Sequence, residues 1–226
     1  MNSRSICLLA VISLTGSAAI ADERPDGSFN GTGAGVVYQP PLLGAPANRT
    51  GGATRGELDG TLFSVLAPEH TGLTFDDQPT LYWHYPGSIP GVVEYTLTKR
   101  WAESPLLSFQ TAAPISAGIQ SWDVGDHGVS LEPDEEYRWF VALVTDPERR
   151  SHDLLSGAGI RLVRPTSDQL AAVEGATEDR YRRLAAAGLW YDAFDELMHR
   201  LAQNPGDDKL LADQHSLLQQ VGLAQP

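Results

Sequence analysis

Six histidines, at positions 70, 84, 127, 152, 199 and 215, are the first residues to test for chemistry in this chain. None stands in a His-Glu-x-x-His or His-x-His arrangement, so the spacings that bring two imidazoles onto one metal are missing. The densest local group is Asp123-Val-Gly-Asp126-His127, where Asp and Gly suit a polar hairpin turn better than a metal site. Asp76-Asp77 before Pro79 reads the same way, and Asp207-Asp208 reads as a helix N-cap. Serine chemistry needs a hydroxyl activated by a base that a third group orients. No Gly-x-Ser-x-Gly elbow occurs, and Gly87-Ser88 falls in a turn between strands. Glu135 and Glu136 are adjacent, so on a strand they point apart and make a solvated edge, not a glycosidase pair. The runs Gly31–Gly35 and Gly51–Gly56 neither follow a strand nor open a helix, and no Gly-Lys-Ser/Thr is present, which argues against a phosphate cradle. The chain therefore yields no catalytic residue, no metal ligand and no cofactor site. A non-enzymatic protein is expected, with a hydrolase assembled from distant loops as the last choice.

Binding residues remain. Tyr82, His84 and Trp122 are expected to share the outer face of one sheet, where aromatic rings could stack on sugars. The competing expectation is that helices or the N-terminal arm cover them. Further along, Trp190 and Tyr191 with the acidic strip Asp192, Asp195 and Glu196 could form a groove for a protein partner. For Trp190 the plainer alternative is helix packing.

The elements that must position these residues follow from periodicity. From about Gly60 to Arg164 the period is two. Seven strands are predicted: Thr61–Leu66, Thr80–Tyr85, Val92–Lys99, Leu106–Thr111, Gly118–Val124, Tyr137–Thr145 and Ala158–Arg164. Turn residues separate them, among them Pro68, Pro90-Gly91, Gly125-Asp126 and Asp146-Pro147. Leu131, Pro133 and Tyr137, just before an apolar strand, carry the spacing of a tyrosine corner, in which the phenol folds back to the backbone. Tyr137, Trp139, Val141 and Leu143 should face the interior. Phe140 and Val144 point the other way, so a second layer should cover them. The predicted fold is α+β, mainly β: a seven-stranded immunoglobulin- or fibronectin III-like sandwich followed by a small helical array.

After Pro165 the period becomes 3.6. Thr166 or Ser167 caps a short helix, Thr177 caps a second that ends at Gly188, and a third begins near Leu189. Its apolar face is Trp190, Ala193, Phe194, Leu197 and Leu201. Pro205-Gly206 ends it, and a fourth runs from Asp208 to Val221. The helices are expected to dock on the sandwich at Phe140 and Val144.

The first residues read as a secretory signal. Arg4 precedes an apolar run from Ile6 to Leu14, and Ala19-Ile20-Ala21 supplies a small-x-small cleavage pattern before Asp22. The apolar run is about half the ~20 residues that a spanning helix requires. Cleavage would remove Cys7, the single cysteine, leaving no disulfide and no thiolate chemistry in the exported chain. It would also leave 15 Lys and Arg against 29 Asp and Glu, a net charge of −14. Such a surface repels phosphate backbones, so nucleic acid is excluded as a partner. Between residues 22 and 60, Gly and Pro make up 13 of 39 positions, a composition read as a mobile arm. The domain scheme is a signal at 1–21, an arm at 22–59, a sandwich at 60–165 and a helical hairpin region at 166–226.

Two resemblances sharpen this scheme. Trp83, Tyr95 and the Leu131/Pro133/Tyr137 corner resemble a fibronectin type III domain. Gly188, Trp190, Ala193, Leu197 and Pro205 resemble the second half of one tetratricopeptide repeat, with Arg200 standing where that motif has a small residue. Over most of the chain, an ordered set is similar to the bacterial envelope family designated domain of unknown function 928. It comprises Tyr38-Gln-Pro-Pro41, Arg49–Gly56, Leu66-Ala-Pro68, Gly72-Leu-Thr74, Pro79–Trp83, Leu131-Glu-Pro133, Tyr137-Arg-Trp139, Asp146-Pro147, Arg150-Ser151 and Gly188–Ala193. That resemblance implies export, periplasmic or secreted location and the two-part layout, and it implies no activity. It also implies that part of the arm packs on the domain. The expected function is an exported interaction module binding an envelope protein, with a carbohydrate or peptidoglycan module as the alternative.

Overall fold

The computed structural model describes residues 35–41, 57–58, 61–85, 87, 91–112, 116–174 and 177–223. The expected signal at 1–21 and most of the arm lie outside the described residues. β1 (Glu57–Leu58) and β2 (Thr61–Leu62) pair as a short antiparallel hairpin. The first large sheet holds, in order, β4 (Gly72–Thr74), β10 (Leu154–Leu162), β9 (Glu136–Val144), β6 (Val92–Lys99) and β7 (Leu107–Ala112). The second holds β3 (Ser64–Val65), β5 (Thr80–Tyr85) and β8 (Gly118–Asp123). All these pairings are antiparallel except β4, which runs parallel to β10.

Two-residue alternation drives the assembly. Val93, Tyr95 and Leu97 of β6 and Tyr137, Trp139, Val141 and Leu143 of β9 are all buried, as the sequence pattern predicts. Rings close the gap between the sheets: Trp83 meets Tyr95 edge-on at 6.2 Å, and Trp122 meets Trp139 at 6.4 Å. The tyrosine corner forms. Tyr137 is fully buried, and the Glu132 N–H donates to its hydroxyl at 3.0 Å. Asp134 takes the left-handed conformation there, with φ 67°, and its N–H reaches Leu162 O at 2.9 Å.

Among the described residues, eight strands build the two large sheets, where seven were expected. The addition is β4, whose three residues show no alternation to read. β10 begins at Leu154 rather than Ala158, and Gly157 and Gly159 inside it hide its periodicity.

Four α-helices follow among the described residues. α1 (Ser167–Val173) starts at a capping box between Thr166 and Gln169. α2 (Arg180–Ala186) ends before Gly188, at φ 79°. α3 is Trp190–Gln203, and α4 (Asp208–Gln220) is capped by Asp207, which accepts from Lys209 N and Leu210 N.

These helices do dock on the sheets, but not at Phe140 and Val144. α3 packs along β4 and β5, against the open edge of the sandwich. Trp190 donates to Leu66 O at 2.9 Å. Tyr191 reaches further in, donating to Gly159 O and accepting from Trp139 Nε1, each at 2.9 Å. Gly72 makes room for that ring, because a Cβ there would lie 2.7 Å from Tyr191 Cε2. Phe140 instead covers Gly157, its register partner, where a Cβ would meet the ring at 2.3 Å. Val144 is buried beside its register partner Val92.

Residues 35–41, expected to belong to a mobile arm, lie extended on the helices with Val36 and Tyr38 buried. For these seven residues the composition misleads, since two apolar side chains and several backbone hydrogen bonds offset their ordering entropy.

Tyr191→Phe keeps the packing of the joint but leaves Trp139 Nε1 and Gly159 O without their partner. A loss of roughly 2–4 kcal/mol in urea denaturation is expected. Far-UV dichroism and tryptophan fluorescence should still report one coincident transition; separate transitions would show that the two layers unfold independently.

Candidate functional site

The spacing of α3 sets two faces. Trp190, Phe194 and Leu197 turn into the joint, while Asp192, Asp195 and Glu196, three and four positions apart, share a flank. This flank forms one wall of an open cleft of ≈ 360 Å³. The opposite wall comes from the chain leaving β4 and entering β5, with Phe75, Asp76 and Thr80. Tyr191 and Leu184 line it as well, and among the described residues Arg180 of α2 is the one basic lining residue.

Each carboxylate has protein donors. Asp192 accepts from Phe75 N with both oxygens at 3.1 Å. Although Asp192 keeps some exposed surface, its carboxyl is sunk among protein atoms, and this burial pushes its pKa up to about 6. The Phe75 hydrogen bonds oppose that rise, and Asp76 nearby adds to it. Asp195 accepts from the Tyr82 hydroxyl at 2.8 Å and lies 3.4 Å from His199 Nδ1. Burial, then the bond to Asp195, raises the Tyr82 phenol well above its ordinary value. Glu196 is bridged by Arg180 and Arg200, each at 2.9 Å. Carboxylates so engaged still present acceptor oxygens to the cleft, which can hold a cation or a donor.

Of the eight residues predicted to bind, the structure gathers Tyr191, Asp192, Asp195 and Glu196 at this cleft. Trp190 is fully buried and packs, stacking on Phe194 at 5.7 Å. The aromatic platform does not form. Trp122 is the register partner of Leu81, so it shares the inner face and is buried, in ring contact with Tyr95, Trp139 and the partly buried Phe109. Tyr82 is half-buried under α3, meeting Phe194 edge-on at 5.4 Å, and His84 is buried. Sequence reasoning missed Asp76, taken for a turn residue, and Arg180, which no motif marks. It also missed Trp101 on the loop after β6, 87% exposed at φ 68° with Arg100 over its ring. Among the described residues no three His, Cys, Asp or Glu side chains come together as metal ligands. No helix among them is long and apolar enough to cross a membrane.

The raised Asp192 value sets a stability effect of known sign. The folded state holds the proton more tightly than the unfolded chain, so stability falls as pH rises from the ordinary 3.8 to about 6, and is level above that. Asp192→Asn lacks this step. The stability difference between wild type and variant should shift by ~1–3 kcal/mol in the variant's favour across that window, measured by denaturant titration at each pH. An unchanged difference would mean that Asp192 ionises freely in the folded protein.

Comparison with known proteins adds family membership. No curated protein matches the chain. Among solved structures, it is similar to one titled "Structure of Astrotactin-2, a conserved vertebrate-specific and perforin-like membrane protein involved in neuronal development". The identity is 15% and the TM-score 0.29, over 64% of this chain and 32% of that one. The chain thus spans about a third of that protein, and so loose a likeness carries no argument. A family profile matches residues 50–225, most of the length, and the chain belongs to the family described as Domain of Unknown Function (DUF928).

Proposed function

We propose that this DUF928 protein is an exported, non-enzymatic interaction module that docks a cationic side chain of an envelope protein in the α3 cleft. The observation that carries this reading is the convergence of Asp76, Asp192, Asp195 and Glu196 on one concavity at the joint of the two layers. Its four carboxylates outnumber Arg180, so the concavity stays net acidic and focuses the field of a chain whose net charge is already −13. Phe75, partly exposed on the opposite wall, gives the cleft apolar surface against which the stem of a Lys or Arg can lie. Export is supported by the leader pattern ending at Ala21. A fibronectin III-like description of the sandwich is supported by the three-against-five strand order and the tyrosine corner. A tetratricopeptide-like description of α2 and α3 is supported by their hairpin packing around Gly188.

The test is affinity capture from envelope extracts with wild type and with Asp195→Asn/Glu196→Gln. Partners held by wild type should be lost about tenfold or more by the double variant, and should weaken with salt. Equal capture by both proteins would overturn the reading.

A carbohydrate-binding reading has one observation in its favour, the exposed Trp101. Retention on peptidoglycan that Trp101→Ala abolishes and the cleft variant leaves intact would move the function to that loop.

A further inference from the structure

Residues 35–41 occupy the helical layer in the way a peptide occupies a receptor. Gln220 of α4 grips the backbone at two points: its side-chain oxygen accepts from Tyr38 N at 2.8 Å and its amide donates to Val36 O at 3.0 Å. Val36 N donates to Asp213 at 3.3 Å, and Gln39 N donates to Ala185 O of α2 at 3.1 Å. These bonds read backbone and would serve any extended sequence. Two side chains supply selectivity. Val36 and Tyr38 point inward and are buried, whereas Val37 between them is 48% exposed. Tyr38 stacks on His70, meets Trp190 edge-on at 5.1 Å and hydrogen-bonds His70 Nε2 at 2.8 Å. Gly188 lets the segment lie close, since a Cβ there would be 2.9 Å from Gln39 O.

The segment does not fill its seat. Past Tyr38, a cavity of ≈ 300 Å³ remains between Pro40, Pro68, Glu69, His70 and the end of α4 at Gln220 to Gly222. We infer that this groove is a peptide-binding site, held in this conformation by the chain's own residues 35–41. Its occupant in trans is an extended segment of another polypeptide with a branched aliphatic residue, any residue, then tyrosine. The residue at the Pro40 position can be larger than proline, because the cavity opens there. The resident segment competes from within the same chain, where covalent linkage gives it an advantage over any free partner. It therefore sets a threshold that a partner must exceed. The groove is separate from the α3 cleft, so either assignment can fail alone.

The test uses the full chain with a protease recognition sequence inserted after Gly44, cut once folded, so that residues 35–41 keep their own sequence and lose their covalent link to the groove. The probe is a labelled Ala-Gly-Val-Val-Tyr-Gln-Pro-Pro peptide, followed by anisotropy, with far-UV dichroism to verify the fold. The cut chain should exchange its segment for the probe and bind at least about tenfold more tightly than the uncut chain. Gln220→Ala in the cut chain, or alanine for the peptide tyrosine, should each remove most of that binding. A peptide with leucine at the Pro40 position should bind at least as well as the parent. A cut chain that unfolds, or that keeps its segment and admits no probe, would make residues 35–41 a permanent part of the core and overturn the proposal. Binding indifferent to the tyrosine, or a strict need for proline, would also overturn it.

Discussion

One hydroxyl fixes how the two layers of this protein meet. Tyr191 is buried deep at the joint, and burial holds its phenol well above the ordinary value, so it stays protonated. A buried phenol must both give and receive a hydrogen bond to avoid a desolvation penalty. It gives to Gly159 O on β10 and receives from Trp139 Nε1 inside the sandwich. Trp139 thereby gains the acceptor that its own burial requires. The requirement is mutual, which makes the orientation of α3 specific in a way that apolar packing alone would not.

The neighbouring contacts of α3 follow from that anchor. With Tyr191 inserted past Gly72, the preceding residue brings its indole to Leu66 O and the following residue brings its carboxylate to Phe75 N. One turn on, Phe194 and Asp195 meet the ring and the hydroxyl of Tyr82. The acidic cleft is the space left over where this docking stops, which is why its walls come from both layers. The α2–α4 side is stabilised separately. Asp213 is buried but receives Tyr181 and Arg182, each at 2.5 Å, so its charge is paired where the dielectric is low. Burial, then the bond to Asp213, pushes the Tyr181 phenol up to about 12.

Much of this was legible because side-chain parity and helix period are local. β5 and β6 have the bounds that their alternation predicts, and Gly188 marks the turn before α3. Tyr137 forms the corner that its spacing to Leu131 and Pro133 announces. What failed was assignment of faces. In Gly118–Asp123, Ile119 and Trp122 have opposite parity, so an apolar residue falls on each side and sequence cannot choose between them. Register chooses: pairing with Leu81 turns Trp122 inward. Phe140 failed for a related reason. An outward aromatic asks for cover, but its partner Gly157 lies far along the sequence, and only the ladder shows that the ring fills a glycine's missing side chain. The acidic strip was readable as a flank of α3, whereas Asp76 and Arg180 join it only through the fold.

The docking side also answers a problem that sandwiches share. An open sheet ends in strands whose unpaired backbone groups invite further pairing. Here β4 and β3 stand at one end of their sheets, and α3 packs along β4 while Trp190 caps Leu66 O just past β3. At the other end, β7 carries Ser108, Gln110 and Thr111, polar residues that blunt an edge. The helices therefore do more than append a second unit. They close the vulnerable edge, and both concavities, the cleft and the groove, lie on the side that this closure creates. A mutation that loosens the joint would expose a pairing edge and open both concavities together, because one set of α3 contacts shapes all three.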